Sequence, residues 1–142
     1  MLFIHPVLQM LATLLSLYTF YFGIQRFRFL HLHQKVAFKW KQHLLLGWIS
    51  LGILFLGMLL GFYMVNSYWH NILMTGAHGA VGFISGILII FGFGTGLYMH
   101  LKKRKRRFLP MTHGIVNLVI LILAMSQAVT GWKVIKMFVL GI

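Results

Sequence analysis

The sequence predicts an all-α integral membrane protein: a four-helix bundle whose N-terminus and C-terminus are both outside, on the non-cytoplasmic side of the membrane. The composition points to a membrane, because 60% of the 142 residues are hydrophobic, only 9% are charged, and the mean hydropathy is +0.88. Four stretches contain no Lys, Arg, Asp or Glu and are long enough, at about 20 residues, to cross a hydrocarbon layer of about 30 Å. These predicted spans are 4–24, 43–65, 76–99 and 111–132.

The first span is expected to stay in the protein, because it lacks the basic segment and the small-x-small cleavage site of a signal peptide. No linker or low-complexity stretch separates the later spans from it. We therefore expect a single transmembrane domain, 1–142, with connecting loops at 25–42, 66–75 and 100–110. Transmembrane strands are not expected, since they alternate in polarity and must close into barrels, whereas these runs are continuously apolar.

The basic residues predict the orientation. Loops 25–42 and 100–110 hold 11 of the 13 Lys and Arg residues, and in an up-and-down bundle both loops lie on one side. The positive-inside rule makes that side cytoplasmic, although Lys133 and Lys136 argue weakly the other way. We expect a multi-pass protein of a bacterial inner membrane, in contact with the lipid bilayer and with no nucleic acid. The basic run at 102–107 suits an anchor beside anionic lipid better than an RNA-binding patch.

The absence of three residue types excludes several classes of chemistry. The chain has no Asp or Glu and no Cys. Aspartic proteases, glycosidases, carboxylate calcium sites and carboxylate di-iron sites are therefore excluded. Thiolate catalysis, disulfides, zinc-thiolate sites and iron–sulfur clusters are excluded in the same way.

The histidines are the candidate functional residues, since ionisable groups within spans are expensive and mark function. One of the eight lies at or near the start of each span: His5, His43, His78 and His113. The remaining four are expected to be solvated or interfacial. His31 and His33 fall in loop 25–42, His70 falls in loop 66–75, and His100 closes the third span.

The spacing of these four histidines predicts two pairs. The first and third spans start on the outer side, so His5 and His78 share one leaflet and form the outer pair. The second and fourth spans start on the inner side, so His43 and His113 form the inner pair. Alternate helices of a bundle face each other across its axis. Two opposed imidazoles in an apolar slot suit a haem with both axial positions filled, whereas a structural zinc site would be half complete.

A glycine follows each of these histidines by 18 residues, which is five helical turns. These are Gly23, Gly61, Gly96 and Gly131. Two explanations fit them: small-residue helix packing, or the close approach of a flat macrocycle to the backbone. The second explanation puts Gly23 and Gly96 beside the inner haem, and Gly61 and Gly131 beside the outer one.

Four segments around the histidines resemble a known group. They are His-Pro-Val-Leu-Gln at 5–9, Lys-Gln-His-Leu-Leu-Leu-Gly at 41–47, Thr-Gly-Ala-His-Gly at 75–79 and Leu-Pro-Met-Thr-His-Gly-Ile-Val-Asn at 109–117. The chain resembles the four-helix haem core of the cytochrome b561 family and small bacterial membrane proteins related to that core. The resemblance implies haem ligation by His5, His43, His78 and His113, without the flanking helices of the larger cytochromes.

The sequence therefore predicts a di-haem b-type cytochrome that transfers electrons across the bilayer, with two haem b groups as cofactors. Its expected electron donor is a quinol or an adjacent redox subunit, which would make the chain part of a quinol-linked oxidoreductase. Lys39, Lys41 and Lys103 are expected partners for the haem propionates. The alternative is a haem-free structural or assembly subunit of a larger membrane complex. A transporter ranks last, because no acidic residue offers a cation or proton relay.

Overall fold

The computed structural model describes residues 2–71, 74–104, 106 and 108–142, which form four long helices. They are α1 (Ile4–His31), α2 (Trp40–Trp69), α3 (Ala77–Leu101) and α4 (Phe108–Val134), and a π-helical segment, Ile135–Leu140, continues α4. Each is long and apolar enough to cross a membrane. The predicted all-α, four-helix, multi-pass architecture is thereby confirmed. Ile72 and Leu73 of the predicted outer loop, and Lys105 and Arg107 of the predicted basic run, lie outside the described residues.

The helices extend beyond the uncharged runs that predicted them. Helix α1 continues to His31, seven residues past the end of its predicted span, and α2 begins at Trp40, three residues before its span. A basic residue ends an uncharged run without ending a helix, because Arg, Lys and Gln are good helix formers. His31 is therefore helical, where the sequence predicted a loop residue.

Both prolines lie where a helix tolerates them. Pro6 and Pro110 are each the third residue of their helix, α1 and α4 respectively. The N–H groups of a first turn have no intrahelical partner, so proline loses no hydrogen bond there. At the other end of α2, His70 has a φ of 53° in the left-handed region and ends the helix.

The four helices form a closed square. Helix α1 packs most extensively on α2 and α3 on α4, while thinner contacts join α2 to α3 and α1 to α4. Within the described chain, no backbone approach joins α1 to α3 or α2 to α4. Alternate helices therefore stand on the diagonals, and only their side chains meet across the axis.

The middle of the bundle is a small apolar core. It consists of Ala12, Leu51, Leu54, Ile89 and Ile120, all buried. Outside this core most large apolar side chains are exposed, for example Leu56 (65%) and Phe83 (62%). A surface of this kind is suited to contact with lipid and not with water.

The basic loops lie together at one end of the bundle. A ring contact of 6.4 Å between Trp40, at the start of α2, and His100, near the end of α3, connects the two loop regions. This is also the end that carries His43 and His113. We keep the name inner pair for His43 and His113, and outer pair for His5 and His78.

Candidate functional site

The structure brings the two histidine pairs together across the bundle axis. In the outer pair, the ring centroids of His5 and His78 lie 6.3 Å apart with an interplanar angle of 86°. In the inner pair, those of His43 and His113 lie 6.4 Å apart at 79°. Each pair joins a diagonal pair of helices, α1 with α3 and α2 with α4. The two sites therefore have nearly the same geometry.

The centroid separations agree with those of two imidazoles on one metal ion. An imidazole nitrogen binds a first-row metal at about 2 Å, so two imidazoles on opposite sides of one ion have centroids about 6 Å apart. The measured 6.3 and 6.4 Å fall at this value. Two imidazole rings in direct van der Waals contact have no reason to show this same centroid separation at both sites.

Hydrogen bonds to backbone carbonyls fix the tautomer of one histidine in each pair. Nδ1 of His5 lies 2.7 Å from the carbonyl oxygen of Gly57, and Nδ1 of His43 lies 3.2 Å from that of Thr19. A carbonyl oxygen only accepts, so the Nδ1–H of each ring donates. The lone pair is then on Nε2, which is the form that binds a metal.

Threonine hydroxyls do the same for the other two rings. Nδ1 of His78 lies 2.9 Å from Oγ1 of Thr130, and Nδ1 of His113 lies 2.9 Å from Oγ1 of Thr95. The proton of each hydroxyl has its own acceptor. Thr130 donates to Oε1 of Gln127 and Thr95 to the carbonyl of Gly92, each at 2.9 Å. Each hydroxyl oxygen therefore accepts from the imidazole, and Nε2 carries the lone pair in these rings as well.

One further polar group lies beside the inner pair. The carboxamide nitrogen of Asn117 lies 2.8 Å from the carbonyl oxygen of His113, one turn earlier on α4. It is 3.3 Å from Nδ1 and 3.5 Å from Nε2 of the same ring. The short bond to the carbonyl uses one N–H of this amide. The second N–H lies nearer to Nδ1 than to Nε2, and both distances exceed the usual hydrogen-bond range of about 2.7–3.2 Å, so Asn117 makes no strong hydrogen bond to Nε2 of His113.

Each of the four spaced glycines lies against a histidine ring of the neighbouring helix. A Cβ added at Gly61 would lie 2.7 Å from Cε1 of His5, and one at Gly131 would lie 3.1 Å from Cε1 of His78. At the inner site, a Cβ at Gly96 would lie 3.1 Å from Cε1 of His113. The clearance at Gly23 is larger, 3.5 Å from Cε1 of His43.

These contacts explain the 18-residue spacing of the glycines more directly than helix packing or the close approach of a macrocycle. Each imidazole lies over its glycine and reaches an acceptor on the glycine's helix. For His78 and His113 that acceptor is the hydroxyl of the threonine directly before the glycine. For His5 that acceptor is the carbonyl of Gly57, four residues before Gly61. For His43 it is the carbonyl of Thr19, four residues before Gly23. A larger side chain at the glycine would separate the ring from its acceptor.

The inner pair borders a cavity of about 790 Å³. This is within the range of cofactor and ligand sites, about 300–1,000 Å³. All four helices line it, and its wall includes both histidines of the inner pair and their glycines, Gly23 and Gly96. The volume is therefore sufficient for a cofactor of the size of a macrocycle, beside both imidazoles of the inner pair.

Four basic side chains also line this cavity, namely Arg26, His31, His100 and Lys103. Of the lysines expected to meet propionates, only Lys103 is among them. Lys39 and Lys41 border a separate hollow of about 300 Å³ beside Phe38 and Trp40. His100, expected to be interfacial, is half-buried and has ring contacts with Trp40 and with Trp48.

The described residues supply two ligands to each site and no more. No group of three or more His, Cys, Asp or Glu side chains in the described part of the chain is placed to hold a metal ion. A structural zinc site needs four protein ligands. Two opposed imidazoles fit a metal whose equatorial ligands come with it, as in haem with two axial histidines.

Sequence reasoning missed Thr95, Thr130 and Arg26. The two threonines did leave a signal, because each directly precedes its glycine, at Thr95-Gly96 and Thr130-Gly131. Arg26 was counted only as a loop charge, because the uncharged run ends before it.

Comparison of the chain with protein-family models, curated proteins and solved structures finds no match.

Proposed function

We propose that this protein is a di-haem b-type membrane cytochrome that transfers electrons across the bilayer. The observation that carries the proposal is the state of the four histidines. They form two opposed pairs at metal-bridging separation, and every ring has its Nδ1 bonded to an acceptor and its Nε2 lone pair left for a metal. Metal-ligating histidines in proteins are held in this way.

Haem, when bound, supplies a one-electron redox centre at each pair. His5 and His78 would hold one iron, and His43 and His113 the other. Because each iron would be held by two protein side chains, the chemistry that the group would supply is electron transfer and not O₂ binding. The hydrogen bonds at Nδ1 fix the orientation of each ring and raise its basicity as a ligand.

The separation of the two sites along the bundle supports electron transfer across a membrane. Gly23 contacts His43 of the inner pair and lies 18 residues from His5 of the outer pair on the same helix. Eighteen residues of α-helix rise about 27 Å, close to the thickness of a hydrocarbon core. The buried apolar core around Leu51, Leu54 and Ile89 lies between the two sites.

The cellular setting is part of the proposal. The basic loops put the inner pair on the cytoplasmic side of a bacterial inner membrane, with both termini outside. The electron donor is a quinol in the bilayer or an adjacent redox subunit. The resemblance to the cytochrome b561 haem core supports the same assignment of ligands.

The alternative, a haem-free structural or assembly subunit, has one observation in its favour. The histidine hydrogen bonds join neighbouring helices, α1 to α2 and α3 to α4. They would stabilise the bundle even without a metal.

Paired losses of haem distinguish the two functions. His43→Ala and His113→Ala should remove the same haem, and His78→Ala should remove the other. His70→Asn is the matched control, since His70 is exposed and the left-handed conformation at this position suits Asn. Visible spectra and redox titration of each purified variant give the result. A structural subunit would show no haem in any variant. Loss of the same haem by His78→Ala and by His43→Ala would refute the pairing.

A further inference from the structure

The chain carries 13 Lys and Arg residues and no Asp or Glu. No cation in it can be neutralised by an acidic side chain. A cation beside an apolar cavity is then available to an anion that the protein binds. Arg26 and Lys103 are the two permanently charged side chains among the described residues that line the inner cavity.

Both cations follow, within a few residues of sequence, a glycine that contacts a histidine of the inner pair. Arg26 follows Gly23, which contacts His43, by three residues on α1. Three residues of helix rise about 4.5 Å. Lys103 lies just beyond the end of α3, seven residues after Gly96, which contacts His113. The two charges therefore belong to α1 and to the end of α3, which are diagonal to each other. Both charges lie at the same end of the inner cavity.

An aromatic ring that lines the cavity lies beside the guanidinium of Arg26. Its guanidinium lies 5.0 Å from the ring centroid of Phe38, which also lines the cavity. Stacking on an aromatic ring leaves the planar fork of N–H donors free for a carboxylate. Both Arg26 and Lys103 are exposed, so they lie at the mouth of the cavity and not in its apolar interior.

An apolar cavity with cations at one end fits a flat apolar molecule with acidic groups along one edge. We propose that Arg26 and Lys103 bind the carboxylates of the macrocycle at the inner site, so that this site selects a porphyrin with free acid groups. This inference depends on the proposed function. It replaces Lys39 and Lys41, the partners expected from the sequence, because those two border a different hollow.

The test is a titration of the full-length, haem-depleted protein in an uncharged detergent without anionic lipid. The probes are iron protoporphyrin IX and its dimethyl ester, which lacks the acid groups. All variants are made in a His78→Ala background, which leaves only the inner site. The same titrations are repeated without the His78→Ala substitution, as a check that this background folds. The test variant is Arg26→Gln with Lys103→Gln. The control is Lys39→Gln with Lys41→Gln, which removes the same total charge at the same end of the bundle.

We expect the test variant to bind the free acid about tenfold more weakly, since exposed ion pairs of this kind contribute about threefold each. Its affinity for the dimethyl ester should not change, and the control should bind both probes as the parent does. The thermal midpoint of the free-acid complex should fall in the test variant alone.

Three results would overturn the inference. Equal losses in the test and control variants would show a general effect of charge. Equal binding of free acid and ester by the parent would show that no group recognises the carboxylates. An effect that appears only after anionic lipid is added would assign the two cations to a lipid phosphate. Failure of the parent to bind either probe is a different outcome, because it would refute the proposed function together with this inference.

Discussion

Gly61→Ala should displace His5 and weaken the outer haem site alone. The new Cβ would lie 2.7 Å from Cε1, 3.0 Å from Nδ1 and 3.2 Å from Nε2 of that ring. Ordinary contact begins at 3.4 Å, so the ring must move by about 0.7 Å. The hydrogen bond from Nδ1 to the carbonyl of Gly57, now 2.7 Å, would lengthen toward the limit for such bonds.

The size of the effect follows from that hydrogen bond. Loss of a neutral hydrogen bond costs about 0.5–1.5 kcal/mol, which corresponds to roughly 2- to 10-fold weaker binding at the outer site. The matched control is Gly23→Ala, which occupies the same place in the pattern at the inner site. There the Cβ would meet Cε1 of His43 at 3.5 Å, an ordinary contact. The control should leave both sites intact.

The assay is a redox titration of each purified variant, with the haem-to-chain ratio measured in parallel. The expected result is depletion or a shifted potential for one haem in Gly61→Ala, and a profile like the parent's in Gly23→Ala. If both variants lost the same amount of haem, the glycines would act through helix packing and not through the imidazoles. If neither variant changed in haem content or redox potential, the contacts between the glycines and the imidazole rings would not affect haem binding.

Three further predictions address the inner glycine, the hydroxyl acceptors and the orientation. Gly96→Leu should deplete the inner haem and spare the outer one in the same redox titration; equal loss of both would indicate loosening of the whole bundle. Thr95→Val should weaken haem at the inner pair and Thr130→Val at the outer pair, each by about 10- to 100-fold, measured by haem titration; unchanged affinity would refute the role of the hydroxyls. Cysteine introduced at Asn71 should be labelled by an impermeant reagent from outside intact cells, and cysteine at Gln34 should not; the reverse pattern would invert the orientation.

Much of the architecture could be predicted from the chain because it depends on length and spacing. Uninterrupted apolar runs have few alternatives to membrane-crossing helices. Once four helices alternate in direction, histidines near their starts must sort into two levels, and the closed square of helices brings His5 to His78 and His43 to His113. The ends of the helices were harder to predict, since α1 remains helical through Arg26 and Arg28 to His31.

The partners of each imidazole were beyond prediction for a different reason. They depend on the rotation of each helix about its axis, and in these helices apolar residues occur on all faces, as expected where the outside is lipid. No hydrophobic stripe then shows which face is internal. For the same reason, the sequence does not show that Arg26 lines the inner cavity. It shows Arg26 only as one charge in a basic loop.

The central claim is tested most directly by the haem content of the purified full-length protein. We predict two haem b groups per chain, quantified chemically, with reducible Soret and α bands and the low-spin spectrum of iron that has two axial histidines. A protein purified from cells with adequate haem that shows no reducible bands would contradict the claim.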